Sequence, residues 1–318
     1  MDIGVSETAA LLREKDNILI LSHTHPDGDT LGSATALCRA LQALGKHARV
    51  TCEDAIPDKF GYLYRGLDAI DFKPDFYVAV DVADKRLLGE EFAQRYGERI
   101  LLCVDHHPSN TKYAQYTLLD PKAAATCELI VRLIRALGVE MDAAMADGIY
   151  TGLTTDTGCF RYANVTSYTH RYAADAIEAG AHAAQINRVM FETMTRTYME
   201  LERLAMDGIR FFFDGRCAVI TLTQEMYRRS GSGEDECDAI AAIPRRIEGV
   251  EIGMTLREKK NGKFKVSVRT NDSIDAAAVC RLMNGGGHAR AAGGEVDGPL
   301  EEAVRAAVQV HPDLSVNC

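Results

Sequence analysis

Short runs of branched apolar residues alternate with amphipathic segments along the first half of the chain. The apolar runs are Ile18-Leu19-Ile20-Leu21-Ser22, Ala48 to Cys52, Phe76 to Val80 and Ile100 to Val104. Between them, segments such as Leu31 to Leu44, which stops at Gly45, carry apolar residues at helical spacing. Buried parallel strands joined by crossover helices produce this alternation. The pattern therefore predicts an α/β domain with a mostly parallel sheet.

The pattern changes from about Gly180. Gln185 to Met206 is polar and helical in spacing and has no strand signal, which predicts a linker helix over residues 185–206. Four strand-like runs follow it: Ile209 to Phe213, Cys217 to Leu222, Glu251 to Glu258 and Phe264 to Arg269. Asn261-Gly262 between the last two is a strong hairpin signal. We therefore predict an N-terminal domain over residues 1–184 and a smaller α+β domain over residues 207–318.

The predicted strands of the first domain end in carboxylates and histidines. The first is followed by His23 and two aspartates, the third by Asp81 and the fourth by Asp105-His106-His107. Neighbouring strand ends in a parallel sheet lie about 5 Å apart, and ligands collect at that edge. A further carboxylate, Asp156, lies just before Gly158. We expect these side chains to form one cluster.

The candidate ligands are oxygen and nitrogen donors without a thiolate. They are His23, Asp27, Asp29, Asp81, His106 and Asp156. This mixture suits Mn²⁺, Mg²⁺, Fe or Co²⁺ better than structural zinc, and Mn²⁺ is the first choice. Six ligands that share one carboxylate are sufficient for two ions, the arrangement of many phosphate-ester hydrolases. In the alternative interpretation, Asp27 or Asp29 only caps the following helix, which leaves the other carboxylate and His23 unexplained.

The remaining histidines of this domain do not belong to a comparable set of acidic residues. We expect His25, between Thr24 and Pro26, to lie outside the ligand set, and three others to face solvent. Those three are His47, His170 and His182. Asp105 starts a turn after a buried strand, and we expect it to orient the adjacent histidines by hydrogen bonds rather than bind metal.

The second domain contains a candidate anion site. Three successive glycines, Gly285 to Gly287, precede His288 and let backbone amides approach a phosphate, to which the histidine adds a charged hydrogen bond. The alternative is a flexible glycine turn after a helix over Ile274 to Met283, and the sequence leaves both open. Arg269, at the end of a strand, is a second candidate anion contact.

The amino-acid composition limits the partners and the location that we expect for the protein. A net charge of −10 argues against wrapping of long duplex DNA, which needs a broad basic surface, but allows a short nucleotide. Nine cysteines without a C-x-x-C pair favour reduced thiols and a cytoplasmic location. No segment has the pattern of a signal peptide or a membrane span, so we expect no membrane partner. The sequence is compatible with a homodimer.

Several ordered motifs resemble those of the DHH phosphoesterases. They are His23-x-x-Pro26-Asp27-Gly28-Asp29, Asp81, Asp105-His106-His107, and Asp156-Thr157-Gly158 with Phe160-Arg161-Tyr162. Gly285-Gly286-Gly287-His288 with Ala291-Ala292-Gly293 resembles the DHH-associated C-terminal domain. The likeness covers nearly the whole chain. It is nearest to the NrnA-like enzymes, which degrade very short oligoribonucleotides and dephosphorylate 3'-phosphoadenosine 5'-phosphate (pAp).

The resemblance implies a role for each motif residue. Asp81 would bridge two ions, the first also held by His23 and Asp27. The second ion would be held in addition by Asp29, His106 and Asp156. His107 would face the scissile phosphate and act with Asp81 in catalysis. The residues expected to bind the rest of the substrate are Arg269, Gly286, Gly287 and His288.

The implied activity is hydrolysis of short oligoribonucleotides or dinucleotides to nucleoside monophosphates, and of pAp to AMP. The alternatives are a phosphodiesterase acting on cyclic di-AMP and a nucleotide-binding protein without catalysis. RecJ-type exonucleases and manganese pyrophosphatases share part of the motif set, but the first are usually larger and the second lack the glycine stretch before His288.

Overall fold

The protein is described by a computed structural model that covers residues 1–68, 70–233, 240–271 and 274–309. The contacts between residues divide the chain into two compact units, Met1–Thr193 and Met194–Cys318. No helix within the described ranges combines the length and apolar character that crossing a membrane requires.

The first unit is an α/β domain built on a five-stranded sheet. In chain order its elements are α1 (Val5–Glu14), β1 (Ile18–Leu21), α2 (Gly28–Ala43), β2 (Ala48–Thr51), β3 (Phe76–Val80), α3 (Glu90–Tyr96), β4 (Ile100–Asp105), β5 (Tyr116–Leu119), α4 (Thr126–Ala136), α5 (Ala143–Asp156), α6 (Ser167–Glu178) and α7 (Ala183–Asn187). The strand order is β2-β1-β3-β4-β5, and every neighbouring pair is parallel. The central strands β1 and β3 are buried along their whole length, as their unbroken apolar runs predict. The predicted fold class is confirmed.

Two helices of this unit approach each other closely. A Cβ atom added at Gly32 in α2 would lie 2.2 Å from the carbonyl oxygen of Gly148 in α5, so only glycine leaves room for the contact. The helices run in opposite directions, since Gly28 at the start of α2 meets Thr155 near the end of α5. This packing brings the first turn of α2 to the last turn of α5.

The second unit has a six-stranded mixed sheet. Its elements are α8 (Arg196–Asp207), β6 (Arg210–Phe212), β7 (Cys217–Leu222), α9 (Gln224–Ser230), β8 (Ile252–Glu258), β9 (Phe264–Thr270), α10 (Ala276–Arg281), β10 (Gly286–His288), β11 (Ala291–Val296) and α11 (Leu300–Gln309). The strand order is β10-β11-β9-β8-β7-β6; β7 and β8 pair in parallel, and the other neighbouring pairs in this order are antiparallel. The structure has the predicted antiparallel hairpin of β8 and β9, with Gly262 at φ +80° in the turn.

The segment predicted as one linker helix over residues 185–206 is divided, and this prediction needs correction. After α7, a π-helical turn (Arg188–Glu192) ends at Thr193, whose backbone is extended. A new helix, α8, then begins because the side chain of Thr195 accepts a hydrogen bond from the backbone N–H of Tyr198. A capping threonine inside a polar helical stretch is hard to recognise from sequence. A prediction based on helical spacing alone therefore treats the two helices as one.

Candidate metal centre

Asp81 lies in the middle of a cluster at the carboxyl edge of the parallel sheet. Its carboxylate oxygens are 3.7 Å from Nε2 of His23, 3.8 Å from Nε2 of His106 and 3.6 Å from Nδ1 of His107. The Asp81 side chain is 2% exposed. A buried carboxylate facing three imidazoles has the position expected of a shared ligand.

The backbone at Asp81 has a conformation that fixes this position. Its φ is +62°, which is uncommon for a residue with a side chain, and its N–H donates to the carbonyl oxygen of Val104 at 2.9 Å. The Oγ1 hydroxyl of Thr126, the first residue of α4, donates to Oδ1 of Asp81 at 2.8 Å. Backbone strain of this kind is retained where the surroundings determine it, often at functional sites.

The six predicted ligands form two groups around this point. His23, Asp27 and Asp81 form one, and Asp29, His106 and Asp156 form the other, with donor atoms within 4.8 Å of one another in each group. Asp81 also groups with His106 and His107. The structure therefore brings together all the residues predicted to hold metal.

The histidines present their Nε2 atoms to the carboxylates. Nδ1 of His23 lies 2.7 Å from the carbonyl oxygen of Thr24, and Nδ1 of His106 lies 3.1 Å from that of Ala123. Because a carbonyl only accepts, Nδ1 carries the proton and Nε2 is left to bind a cation. Nε2 of His106 is buried and has no hydrogen-bond partner among the described residues. This orphaned atom, together with the oxygen donors around it, fits a divalent metal ion.

The electrostatics of the cluster also favour a cation. Burial, together with the charges of Asp81 and Asp156, raises the pKa of Asp29 well above its ordinary value. Burial likewise raises the pKa of Asp156 to about 6, although the imidazole of His106, whose Nε2 lies 3.3 Å from Oδ2 of Asp156, lowers it. These carboxylates therefore repel one another when they are ionised. Metal ions in their midst would remove that penalty.

Metal affinity is expected to rise with pH, because protons occupy the ligands of the metal-free protein. Burial lowers the pKa of His23, but the carboxylates of Asp27 and Asp81, each 3.7 Å from Nε2, raise it more, to about 11. Burial also lowers the pKa of His106, but the neighbouring carboxylates raise it more, to about 10. Each ion must displace a proton at neutral pH, so affinity should rise about tenfold per pH unit for each proton released.

The check is calorimetric titration with Mn²⁺ at pH 7.5 in buffers of different ionisation enthalpy. We expect release of about one proton or more per ion. His182→Gln, which removes an exposed histidine paired with Asp147, should leave the proton count unchanged. Binding without proton release would contradict the assignment of the histidines as ligands.

The two aspartates of the first motif each cap a helix as well as facing the cluster. Oδ1 of Asp27 accepts hydrogen bonds from the N–H groups of Asp29 and Thr30 at the start of α2, and lies 3.7 Å from Nε2 of His23. The capping alternative therefore holds for Asp27 without excluding a ligand role. Asp29 is fully buried and accepts from the N–H groups of Thr126 and Cys127 at 2.6 and 2.9 Å. These N–H groups at the N-terminus of α4 favour the charged form of Asp29, but burial and the neighbouring carboxylates outweigh them and raise its pKa.

His107 is held by a chain of partly buried hydrogen bonds. Its Nδ1 lies 2.8 Å from Oδ1 of Asp105, whose Oδ2 accepts from Nδ2 of Asn110 at 2.6 Å. The hydrogen bond to Asp105 raises the pKa of His107, and the pKa of Asp105 is lowered by His107 and Asn110 even though burial opposes this. This geometry agrees with an orienting role for Asp105. Asn110 gave no sequence signal, since a single asparagine in a loop is ordinary.

Three other histidines of the first unit, His25, His47 and His182, lie at its surface outside the cluster. The His25 side chain is 93% exposed, with Nδ1 3.3 Å from an oxygen of Asp54. His47 makes a similar surface pair with Asp16, and His182 pairs with Asp147. The histidine of the second unit that was predicted to bind substrate, His288, belongs to β10.

The glycine stretch of the second unit is a strand rather than a flexible turn. Gly286, Gly287 and His288 pair with Gly293, Ala292 and Ala291 in turn, and Ala291 pairs on its other side with Arg269. A Cβ atom at Gly285 would lie 1.9 Å from the carbonyl oxygen of Gly293. Gly287 has φ +144°. The backbone register therefore places Arg269 and His288 on either side of Ala291, on the same part of the sheet.

Two family models match the chain. One, described as the DHH family, N-terminal domain, matches residues 17–153, and one described as the DHHA1 domain matches residues 216–311. The two matched segments lie in the first and second compact units respectively. The first contains every candidate ligand except Asp156, and the second contains the glycine stretch.

Individual proteins show the same likeness. The chain is 32% identical over 290 residues to the bifunctional oligoribonuclease and PAP phosphatase NrnA of Thermus thermophilus, and the match covers 88% of this chain and 84% of that protein. An exopolyphosphatase-related protein from Bacteroides fragilis has a similar structure, with a TM-score of 0.87, 25% identity and coverage of 96% and 95%. RecJ of Thermus thermophilus in complex with Mn²⁺ shares the fold, with a TM-score of 0.56, 16% identity and coverage of 96% and 54%.

Proposed function

Because the chain belongs to the DHH family and carries a DHHA1 domain, we propose that it hydrolyses short oligoribonucleotides or dinucleotides to nucleoside monophosphates, and pAp to AMP. It is a metal-dependent phosphoesterase that acts on a nucleotide substrate. The observation that carries the proposal is the grouping of five acidic and imidazole side chains, all candidate ligands, around the buried Asp81.

We assign two divalent ions to the cluster, with Mn²⁺ preferred. His23, Asp27 and Asp81 would hold one ion, in agreement with the first group of donor atoms. The second group, with Asp81 as the bridging carboxylate, would hold the other; its members are Asp29, His106 and Asp156. When bound, such a pair supplies Lewis acidity that activates water and stabilises the oxygens of a phosphoryl group.

His107 is the proposed substrate-facing residue of this centre. Its side chain is 38% exposed, compared with 13% for His106, so a phosphate can reach it from solvent. Asp105 engages Nδ1 and favours the imidazolium, which leaves the N–H of Nε2 to donate to a phosphate oxygen. A charged donor placed there would stabilise the negative charge that develops on phosphorus oxygens during hydrolysis.

In the second unit, we propose Arg269 and the strand Gly286–His288 as the surface that binds a substrate phosphate or nucleotide. The register of β10, β11 and β9 supports this, because Arg269 and His288 flank Ala291 on adjacent strands. Gly286 and Gly287 carry no side chain, and a Cβ added at Gly286 would meet open space, so an anion can approach the backbone there.

Other interpretations have less support. A binding protein without catalysis would be favoured by a missing ligand or a missing second histidine of the DHH motif, and all are present. Cleavage of cyclic di-AMP is not favoured by the relatives' names and is kept as one arm of the experiment below. A cytoplasmic location is supported by the free thiols among the described cysteines.

The test supplies the purified, Mn²⁺-loaded protein with pApA, cyclic di-AMP, a short RNA and pAp in parallel, and measures AMP and inorganic phosphate. We expect AMP from the short diesters and phosphate from pAp, with loss of both after chelation and recovery on adding Mn²⁺. No product from any of the four, with bound metal verified, would contradict the proposed function.

Chain length is the second part of this test. A net charge of −10 disfavours tracking along a long strand, which requires a broad basic surface. We therefore expect RNA of two nucleotides to be turned over faster than RNA of about twenty nucleotides under identical conditions. Equal rates per molecule would contradict a preference for short substrates.

A further inference from the structure

An exposed aromatic ring lies on the turn that follows the proposed ligand Asp156. Two aromatic residues of this turn lie in different environments. The ring of Phe160 stacks on that of His170, with centroids 5.3 Å apart, whereas Tyr162 is 52% exposed. The inward-facing Phe160 helps to hold the turn in place. Tyr162 remains available to a ligand.

The Tyr162 ring packs against Gly158 of the same turn, which fixes its position. A Cβ atom added at Gly158 would lie 2.3 Å from Cζ of Tyr162, so the hydroxyl end of the ring packs where only glycine leaves room. Gly158 has φ +55°, and its carbonyl oxygen accepts from Nε of Arg161 at 2.5 Å. The backbone N–H of Tyr162 donates to the carbonyl oxygen of Thr157 at 3.1 Å. The ring is therefore pre-positioned, which lowers the entropy lost when it binds a partner.

The turn is also joined to the metal cluster. Nδ2 of Asn164 donates to the carbonyl oxygens of Asp156 and Ala124, at 3.1 Å each. The adjacent Ala123 carbonyl is the partner of Nδ1 of the proposed ligand His106. Tyr162 thus stands on a turn that is tied to both segments supporting the second ligand group.

We infer that Tyr162 is a stacking platform for a base of the nucleotide whose phosphate is bound at the metal centre. The inference rests on the proposed function and adds a residue that distinguishes nucleotides from inorganic phosphates. Every base has an apolar face, so an exposed ring beside a phosphate site binds nucleotides with little sequence preference. Metal and His107 recognise only phosphate, which inorganic polyphosphate also offers.

The test compares Tyr162→Ala and Tyr162→Phe on pApA and on its two abasic analogues, each lacking one base. Loss of base stacking should lower kcat/KM for pApA by about 5- to 100-fold in Tyr162→Ala, while Tyr162→Phe keeps the ring and the activity. On the analogue that lacks the stacked base, Tyr162→Ala should match the wild type. Tyr168→Ala, which removes another exposed tyrosine from α6, is the matched control and should change neither value.

The inference would be overturned if Tyr162→Ala lowered kcat/KM by the same factor on pApA and on both analogues. It would also be overturned if Tyr162→Ala did not lower kcat/KM for pApA. Binding of the same ligands, measured by calorimetry, separates this result from failure of the proposed function. If the wild type binds pApA without cleaving it, the proposed function fails, and weaker binding by Tyr162→Ala still supports the platform. Equal binding by both proteins, or no binding of pApA by the wild type, overturns the platform.

Discussion

Replacing Asp81 with asparagine is expected to reduce Mn²⁺-dependent turnover by more than about 100-fold, while the protein remains folded. Loss of a residue that only supports a metal ligand typically costs about 10- to 100-fold, and Asp81 is the proposed ligand of both ions. Asparagine keeps the size of the side chain and an oxygen that can accept from Oγ1 of Thr126. Steady-state rates on pApA and the number of Mn²⁺ ions bound would be measured together.

The matched control is Asp16→Asn. Asp16 is an exposed carboxylate that also contacts an imidazole, that of His47, but it belongs to no cluster of ligands among the described residues. Its replacement should leave rate and metal content near those of the wild type. Full activity and two bound ions in Asp81→Asn would refute the bridging assignment.

Gly152→Ala is expected to destabilise the protein and weaken metal binding together. A Cβ atom at this position would lie 2.3 Å from Sγ of Cys127 and 2.6 Å from Oδ1 of Asp29, so one of them must move. Overpacking of a buried contact costs about 1–3 kcal/mol of unfolding free energy. Displacement of Asp29 would also disturb its hydrogen bonds to the first residues of α4. Thermal unfolding with and without Mn²⁺ measures both effects.

Gly61→Ala is the control for this substitution. Gly61 lies in a short 3₁₀ helix (Asp58–Tyr64), and a Cβ atom added there would meet nothing within 4 Å. Its melting temperature and its stabilisation by Mn²⁺ should stay close to those of the wild type. An unchanged melting temperature and metal response in Gly152→Ala would show that the contact between α2 and α5 tolerates a methyl group.

The position of the metal cluster follows from the hydrophobic pattern because parallel sheets have a simple geometry. Unbroken apolar runs predict strands buried on both faces, and such strands end together at one edge. Residues as distant as His23, Asp81 and His106 can therefore be placed together without any knowledge of side-chain conformation. Asp156 is harder to place from sequence, since its position depends on how closely α5 packs on α2.

Features set by individual hydrogen bonds could not be predicted in this way. Thr126 and Asn110 support Asp81 and Asp105, but a threonine at a helix start and an asparagine in a loop occur everywhere. The φ of +62° at Asp81 arises from the local backbone and leaves no mark in the residue pattern. For the glycine stretch before His288 the sequence leaves an anion site and a flexible turn open, and it does not indicate the strand found in the structure, because glycines in a closely packed strand and in a turn look alike in sequence.

The most direct test of the two-ion assignment is a crystal structure of the Mn²⁺-loaded protein with anomalous scattering recorded at the manganese edge. We expect two anomalous peaks about 3.5–4 Å apart, both in contact with the carboxylate of Asp81. One should also be bound by His23 and Asp27, and the other by Asp29, His106 and Asp156. A single ion, or two ions that do not share Asp81, would contradict the assignment of Asp81 as the ligand of both ions.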